Sequence, residues 1–323
     1  MLDTIISYLS AAIIQGIPLL YGAVGEILTE KSGNLNLGIP GIMYMGGISG
    51  VVGSYIYEQT AENPQTWLLV LIPLLSSLLG SGILSLIYSF LTITLKANQN
   101  VTGLALTTLG VGIGNFFGGS LVNLFGNSGS IALPKTAAVY KATFPFMKNV
   151  GDLAHTGFLL YLAFIIAIIA AVFLKFTRQG LNLRAVGENP ATADAAGINV
   201  SLYKYLSTCI GGMIAGLGGL YFVLDYTSGS WTNNGFGDRG WLAIAIVIFA
   251  LWKPNHAILS SIVFGGLYIA CVKIPGLSAS NKELIKMLPY VVTIIVLVAV
   301  SIRKKRENQP PESLGQSYFR EER

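Results

Sequence analysis

The stretch Asn189-Pro190-Ala191-Thr192-Ala193-Asp194-Ala195-Ala196-Gly197 carries its own start and stop signals for a short helix. Asn189 can accept a hydrogen bond from an otherwise orphaned amide as the N-cap. Pro190 suits the first helical position, where a missing N–H costs nothing, and Gly197 supplies the left-handed residue that stops the helix. Residues 190–196 would make a rod about 10 Å long, far too short to cross a bilayer and too weakly apolar to enter one. Lying between two long apolar segments, it reads as a rigid peg at the mouth of a membrane bundle, placed to dock another subunit. The same residues would also serve as a plain loop helix.

Working outward from the peg, the 323 residues are 53% apolar and only 11% charged, with 38 glycines. A soluble domain carries about 25% charge, so this composition excludes a tethered soluble protein and requires a polytopic membrane chain. Nine apolar segments fit membrane spans, near 5–28, 39–56, 67–94, 101–120, 156–176, 203–224, 240–252, 257–273 and 287–302. The seventh is short, and Gly235 to Gly240 ahead of it could extend it as broken or re-entrant backbone, tolerated only where protein shields it. The start, Met1-Leu2-Asp3-Thr4, lacks a basic n-region, so the first span is expected to be retained. The expected architecture is an all-α polytopic bundle of about 8–10 transmembrane helices. Its membrane domain covers 1–302, and a polar tail, 303–323, is expected to be disordered.

With the N-terminus outside, the inner segments hold Lys31, Lys96, Lys175, Arg178, Arg184, Lys204, Lys253 and Arg303-Lys304-Lys305-Arg306. The short outer loops hold Arg239, Lys273, Lys282 and Lys286. The bias places the peg and the C-terminus in the cytoplasm. The net charge of +5 is then cytoplasmic anchoring and does not indicate nucleic-acid binding. Cys209 and Cys271 fall in apolar spans and His155 and His256 at opposite faces, so no disulfide or metal site is expected.

Small residues repeat at four-residue spacing in Gly46-x-x-x-Gly50, Gly110-x-x-x-Gly114-x-x-x-Gly118 and Gly212-x-x-x-Gly216, a pattern for close helix approach in lipid. Glycine- and asparagine-rich stretches precede both the second span (Gly33-Asn34 to Gly38) and the seventh (Asn233-Asn234-Gly235 to Gly240). Interrupted segments in corresponding places point to inverted repeats with a substrate path between them. Gly235-Phe236-Gly237-Asp238-Arg239-Gly240 matches a dinucleotide fingerprint in letters alone; it opens no strand–helix unit, and no Walker-type phosphate loop occurs. ATP, if used, must be bound by another chain.

The peg sits in a longer run, Arg184-Ala185-Val186-Gly187-Glu188-Asn189-Pro190-Ala191-Thr192-Ala193-Asp194-Ala195-Ala196-Gly197-Ile198, followed by a glycine-rich span. This resembles the coupling segment of permease subunits of bacterial ABC importers for simple sugars, branched-chain amino acids and nucleosides, matching at Gly187, Asn189, Ala195, Ala196, Gly197 and Ile198. Glu30-Lys31-Ser32-Gly33-Asn34-Leu35-Asn36-Leu37-Gly38, with Gly41, is similar to a second family segment. Asn98-Gln99-Asn100-Val101-Thr102-Gly103-Leu104-Ala105-Leu106 is similar to a run of the nucleoside branch. The resemblance covers nearly all of 20–300. It implies a non-catalytic permease, most closely a nucleoside importer, in which Gly187 to Ile198, including Glu188, Pro190, Ala191 and Asp194, meets an ATPase. It further implies a related second permease, two ATPase subunits that bind ATP and Mg, and an extracellular, lipid-anchored or periplasmic binding protein. No cofactor is expected on this chain itself.

Asn34, Asn36, Asn98, Gln99, Thr102, Asn115, Trp231, Asn233 and Asn234 are candidates for the substrate path. All but Thr102 have a plainer alternative. Asn34 and Asn36 could cap the second span, Asn98 and Gln99 the fourth, and Trp231 could be an aromatic-belt residue beside a turn. Asn115 lies inside an apolar span, where an unpaired amide would cost about 1–3 kcal/mol, so it must bond either a neighbouring helix or substrate. Glu26 and Asp225 are expected near span ends in reach of water, and no acid falls at mid-span, which argues against a proton- or sodium-coupled carrier. The same importer architecture with a monosaccharide or branched-chain amino acid as solute remains the alternative to a nucleoside.

Overall fold

Each of the nine apolar segments is a helix in the computed structural model, which describes residues 2–125, 130–141, 157–273, 278–303 and 309–319. In chain order these are α1 (Leu2–Glu30), α2 (Ile39–Thr60), α3 (Thr66–Ser89), α4 (Gln99–Leu124), α6 (Phe158–Phe176), α9 (Val200–Tyr221), α10 (Arg239–Phe249), α11 (Pro254–Lys273) and α13 (Leu288–Arg303). Shorter helices lie between them: α5 (Pro134–Tyr140), α7 (Arg178–Glu188), α8 (Pro190–Ala195) and α12 (Ala279–Lys286). One π-helical turn extends α3 (Phe90–Thr94) and another extends α9 (Phe222–Tyr226). Among the described residues six helices are long and apolar enough to cross a bilayer. The protein is therefore an all-α, multi-pass membrane bundle.

α1 runs through the middle of the bundle, touching α9, α10 and α11, and 89% of its apolar window is buried. α4 lies at the perimeter with 28% buried, presenting Val101, Phe116 and Leu124 outward. Close approach is made at glycines. A Cβ on Gly25 would lie 2.2 Å from the Gly211 carbonyl oxygen, and one on Gly46 2.4 Å from the Gly216 Cα. Opposite α9, α3 carries Ser77, Ser81, Ser85 and Ser89 at i, i+4 spacing. Ser81, Ser85 and Ser89 each donate to the carbonyl one turn back, so the buried hydroxyls are satisfied. Gly212 and Gly216 sit directly on Ser85 and Ser81.

The short seventh span is α10, whose 11 residues reach about 16 Å, half a bilayer core. The break lies at both of its ends. Before it, residues 233–238 form turns; after it, Leu251 and Trp252 both take left-handed backbone (φ +56° and +55°). Protein shields both: Trp231, Phe236 and Trp252 are each buried. A Cβ on Gly240, at the start of α10, would lie 2.4 Å from the Cα of Pro40, in the first turn of α2. The N-termini of α2 and α10 thus meet inside the bundle.

Two expectations are corrected by burial. Arg239, expected in an outer loop, is 5% exposed; its guanidinium lies 4.5 Å from the Phe222 ring centre, with Tyr226 and Tyr268 also beside it, and donates to the Phe236 carbonyl at 2.8 Å. Cation–π contact and a main-chain acceptor replace water. The tail is likewise not disordered where it is described: residues 309–319 pack on the protein, with Pro311 and Ser313 buried. Its polar composition concealed that its hydrogen-bond partners are in the bundle: the carbonyls of Gly187 and Gly33 and the side chains of Lys96 and Asp194. Lys304, Lys305 and Arg306 of the basic cluster, and His155, lie outside the described residues.

Candidate functional site: a cavity beside the peg and a closed polar ring

The peg forms as its capping chemistry requires, one residue shorter than expected. The Asn189 side chain accepts from Thr192 N at 2.9 Å. At the other end Gly197 has φ +82°, Gly197 N donates to the Asp194 carbonyl and Ile198 N to the Ala193 carbonyl, a Schellman closure beginning after Ala195. The peg is not stranded: Ala193 and Ile198 pack with Val186, Val200, Tyr203 and Tyr318 in a small satellite core. Glu188, Ala191, Ala195 and Ala196 are exposed beside half-buried Pro190. Gly187 is buried and touches the neighbouring loop; a Cβ there would lie 2.3 Å from the Lys31 carbonyl oxygen.

Beside the peg lies a cavity of about 550 Å3 whose walls include Asn34, Gln99, Asp194, Gly197 and Ile198, together with Lys96, Lys204 and Tyr318. Residues expected to line a path and residues expected to dock a partner therefore share one wall. Asn34 reaches across to α9, donating to Thr208 Oγ1 at 3.1 Å; Gln99 accepts from Leu35 N at 2.7 Å and holds the 31–38 loop. Asn36 accepts from Gly38 N within that loop, and its own N–H donates to Glu26 Oε1 at 3.0 Å. Asn98 is exposed and accepts from Val101 N, so it is the N-cap of α4 and not a wall of this cavity. Thr102, one turn on, is buried. Thr107, which sequence reading passed over, donates to the Leu37 carbonyl at 2.9 Å.

Glu26 and Glu30 are buried, as is Asp225, against the expectation that water reaches span ends. The Trp252 indole N–H donates to Glu30 and Gly157 N to Asp225. Among the described residues Glu26 Oε2, Asn36 Nδ2 and Asp225 Oδ2 have no hydrogen-bond partner. At this end Lys31 neighbours Glu188, Arg184 and Lys253. Burial holds its ammonium below the ordinary lysine value, an effect that Glu188 opposes.

The remaining candidates form a second cluster. Asn115 lies 16 residues beyond Gln99 on α4, about 24 Å along its axis. Tyr44 OH donates to Asn115 Oδ1 (2.5 Å), Asn115 Nδ2 donates to Asn234 Oδ1 (3.0 Å), and Asn234 N donates to Tyr44 OH (2.8 Å), a closed ring of three bonds. Trp231, 7% exposed and so not a lipid-facing belt residue, donates to Asn233 Oδ1 and packs edge-on against Tyr44 at 5.1 Å. Gly114 and Gly118 seat these rings: Cβ atoms there would lie 2.3 Å from Tyr44 and 2.0 Å from Trp231. Tyr44 was not singled out from sequence. The only hint was that two glycines of the α4 repeat need something bulky opposite them. The space remaining among Tyr44, Trp231 and Phe236 is about 10 Å3, no more than a water.

The family model described as "Branched-chain amino acid transport system / permease component" matches residues 8–297. The nucleoside ABC transporter permease protein NupC of Lactococcus lactis is 32% identical over 88% of this chain and 89% of its own. TsgC13 of Haloferax volcanii, whose name gives a provisional assignment as a glucose ABC transporter permease, is 30% identical over 97% of both chains. The guanosine ABC transporter permease protein NupQ of Bacillus subtilis is 29% identical over 89% of both. With a family model matched over nearly its whole membrane domain and two relatives at or above 30% identity, the chain belongs to this permease family and is a permease subunit of an ABC transporter.

Proposed function

We propose that the chain forms, with a second and related permease, the membrane path of an ATP-driven importer for nucleosides. The observation that carries this reading is the shared wall of the 550 Å3 cavity: Asn34 and Gln99 of the path stand beside Asp194, Gly197 and Ile198 of the peg. A partner pressing on the peg therefore acts on the path directly. The α8 end is the cytoplasmic face, a reading supported by Lys31, Arg184 and Lys253 gathering there. ATP and Mg belong to two ATPase subunits that seat the exposed side of α8. An extracellular binding protein delivers solute to the Tyr44–Asn115–Asn234 ring. Closure of the ATPases moves α8 as a rigid body and tilts the bundle between outward- and inward-facing states. The chain itself makes and breaks no covalent bond.

Similarity to NupC and NupQ favours a nucleoside; similarity to TsgC13 supports a sugar as the second reading. The deciding test is uptake of labelled guanosine and uridine in cells with this chain deleted and restored, repeated with the partner ATPase's phosphate-loop lysine replaced. Uptake that needs both supports the proposal. Uptake unchanged by deletion rejects nucleosides, and competition with labelled monosaccharides then tests the second reading.

A further inference from the structure

We infer that residues 309–319 are a coupling strap: they bind the peg segment to the two loops of the cavity wall, so that movement of α8 is passed to the path. This rests on the reading of α8 as the element that meets the ATPase.

The strap makes bonds to three separate places. At the peg segment, both Ser313 N and Ser313 Oγ donate to the Gly187 carbonyl, at 3.1 and 2.6 Å, and Tyr318 OH donates to Asp194 Oδ2 at 2.9 Å. At the α1–α2 loop, Gly315 N donates to the Gly33 carbonyl at 3.1 Å. At the α3–α4 connection, Lys96 Nζ donates to the Tyr318 carbonyl and lies 4.2 Å from the Phe319 ring centre. Gln99 Nε2 lies 3.5 Å from the Gln316 carbonyl. The strap has a turn of its own, with Leu314 N donating to the Pro311 carbonyl and Gly315 at φ +79°.

The receiving surface is cut to fit. Gly33 has φ +87°, and a Cβ there would lie 2.6 Å from Ser313 Oγ. Gly33 and Gly187 belong to two of the three segments that carry the family resemblance, and the strap lies on both. Tyr318 also completes the satellite core beneath the peg. Apart from the strap, Gly187 meets the 31–38 loop by packing against Lys31 and Gly33. With the strap, the peg, Asn34 and Gln99 are parts of one hydrogen-bonded body, as rigid-body transmission requires.

The test uses the complete transporter in proteoliposomes, reading solute taken up per ATP hydrolysed, in a chain ended after residue 308 and in Ser313→Pro, which removes both donors to Gly187. Expected is a loss of about tenfold in uptake per ATP, the scale of a coupling free energy, with hydrolysis continuing. Ser313→Thr, which keeps both donors, should restore the ratio, as should a peptide of residues 309–323 added on the ATPase side to the truncated chain. Unchanged ratios in both variants, or a raised ratio, overturn the strap. Gly197→Val is run alongside. If it uncouples while truncation does not, the strap alone fails. If it leaves the ratio intact, the reading of α8 fails and the strap with it.

Discussion

The two ends of this permease use the same residue types to opposite effect. Beside α8, Asn34 and Gln99 hold a loop and a neighbouring helix, and the walls enclose about 550 Å3. At the far cluster, Asn115 and Asn234 bond each other and Tyr44, and about 10 Å3 remains beside Tyr44 and Trp231. Gln99, bonded to the Leu35 N–H, and Asn34, bonded to the Thr208 hydroxyl, are tied outward to a loop and a helix and leave space between them; Asn115, Asn234 and Tyr44 are tied to one another and leave almost none. On the proposed importer function, alternating access would reverse this asymmetry, with the ring opening as the peg cavity shuts.

The sharpest way to break the comparison is Gly114→Val. Its branched side chain would drive into the buried Tyr44 ring, which its two hydrogen bonds prevent from moving aside. Overpacking of this kind costs about 1–3 kcal/mol or more, so the ring should stay open and uptake should fall tenfold to a hundredfold. Normal uptake, with labelling of a cysteine at position 233 from outside no faster than before, would refute the ring as the outer closure of the proposed path. Gly197→Val comes next. Among the described residues no atom lies within 4 Å of the added Cβ, so the effect is conformational: left-handed backbone costs an L residue roughly 1–2 kcal/mol. ATP hydrolysis should persist while uptake drops about tenfold, and normal transport would remove the peg from the mechanism.

Tyr44→Phe is milder. It deletes the hydroxyl that joins Asn115 to Asn234 N, at a cost of about 1 kcal/mol, because the two groups can still meet each other at their 3.4 Å spacing. Faster labelling from outside, with retained uptake, is the expected result. The smallest effect belongs to Asn98→Ala. Losing the α4 cap should lower thermal stability by about 1 kcal/mol and leave apparent solute affinity unchanged; a changed affinity would return Asn98 to the path.

Much of this was legible along the chain. All nine apolar segments are helical, and the peg obeys its caps at Asn189 and Gly197, because hydropathy and capping are settled within a few residues of each other. The glycine repeat of α4 was legible as a close approach, but its partners were not, since a glycine marks space and does not say what fills it. Gly110 meets the backbone of Gly41, whereas Gly114 and Gly118 meet aromatic rings.

Composition, capping residues and motifs were enough to read the membrane class, the peg helix and the family. Packing of the bundle was needed to see that Glu26, Asp225 and Arg239 are buried, that Tyr44 closes a ring with Asn115 and Asn234, and that the polar tail is seated on Gly187 and Gly33. The reason is separation. Tyr44 lies 71 residues from Asn115 and 190 from Asn234, and Ser313 lies 126 from Gly187. A polar residue announces that it needs a partner, but only the packed bundle supplies one.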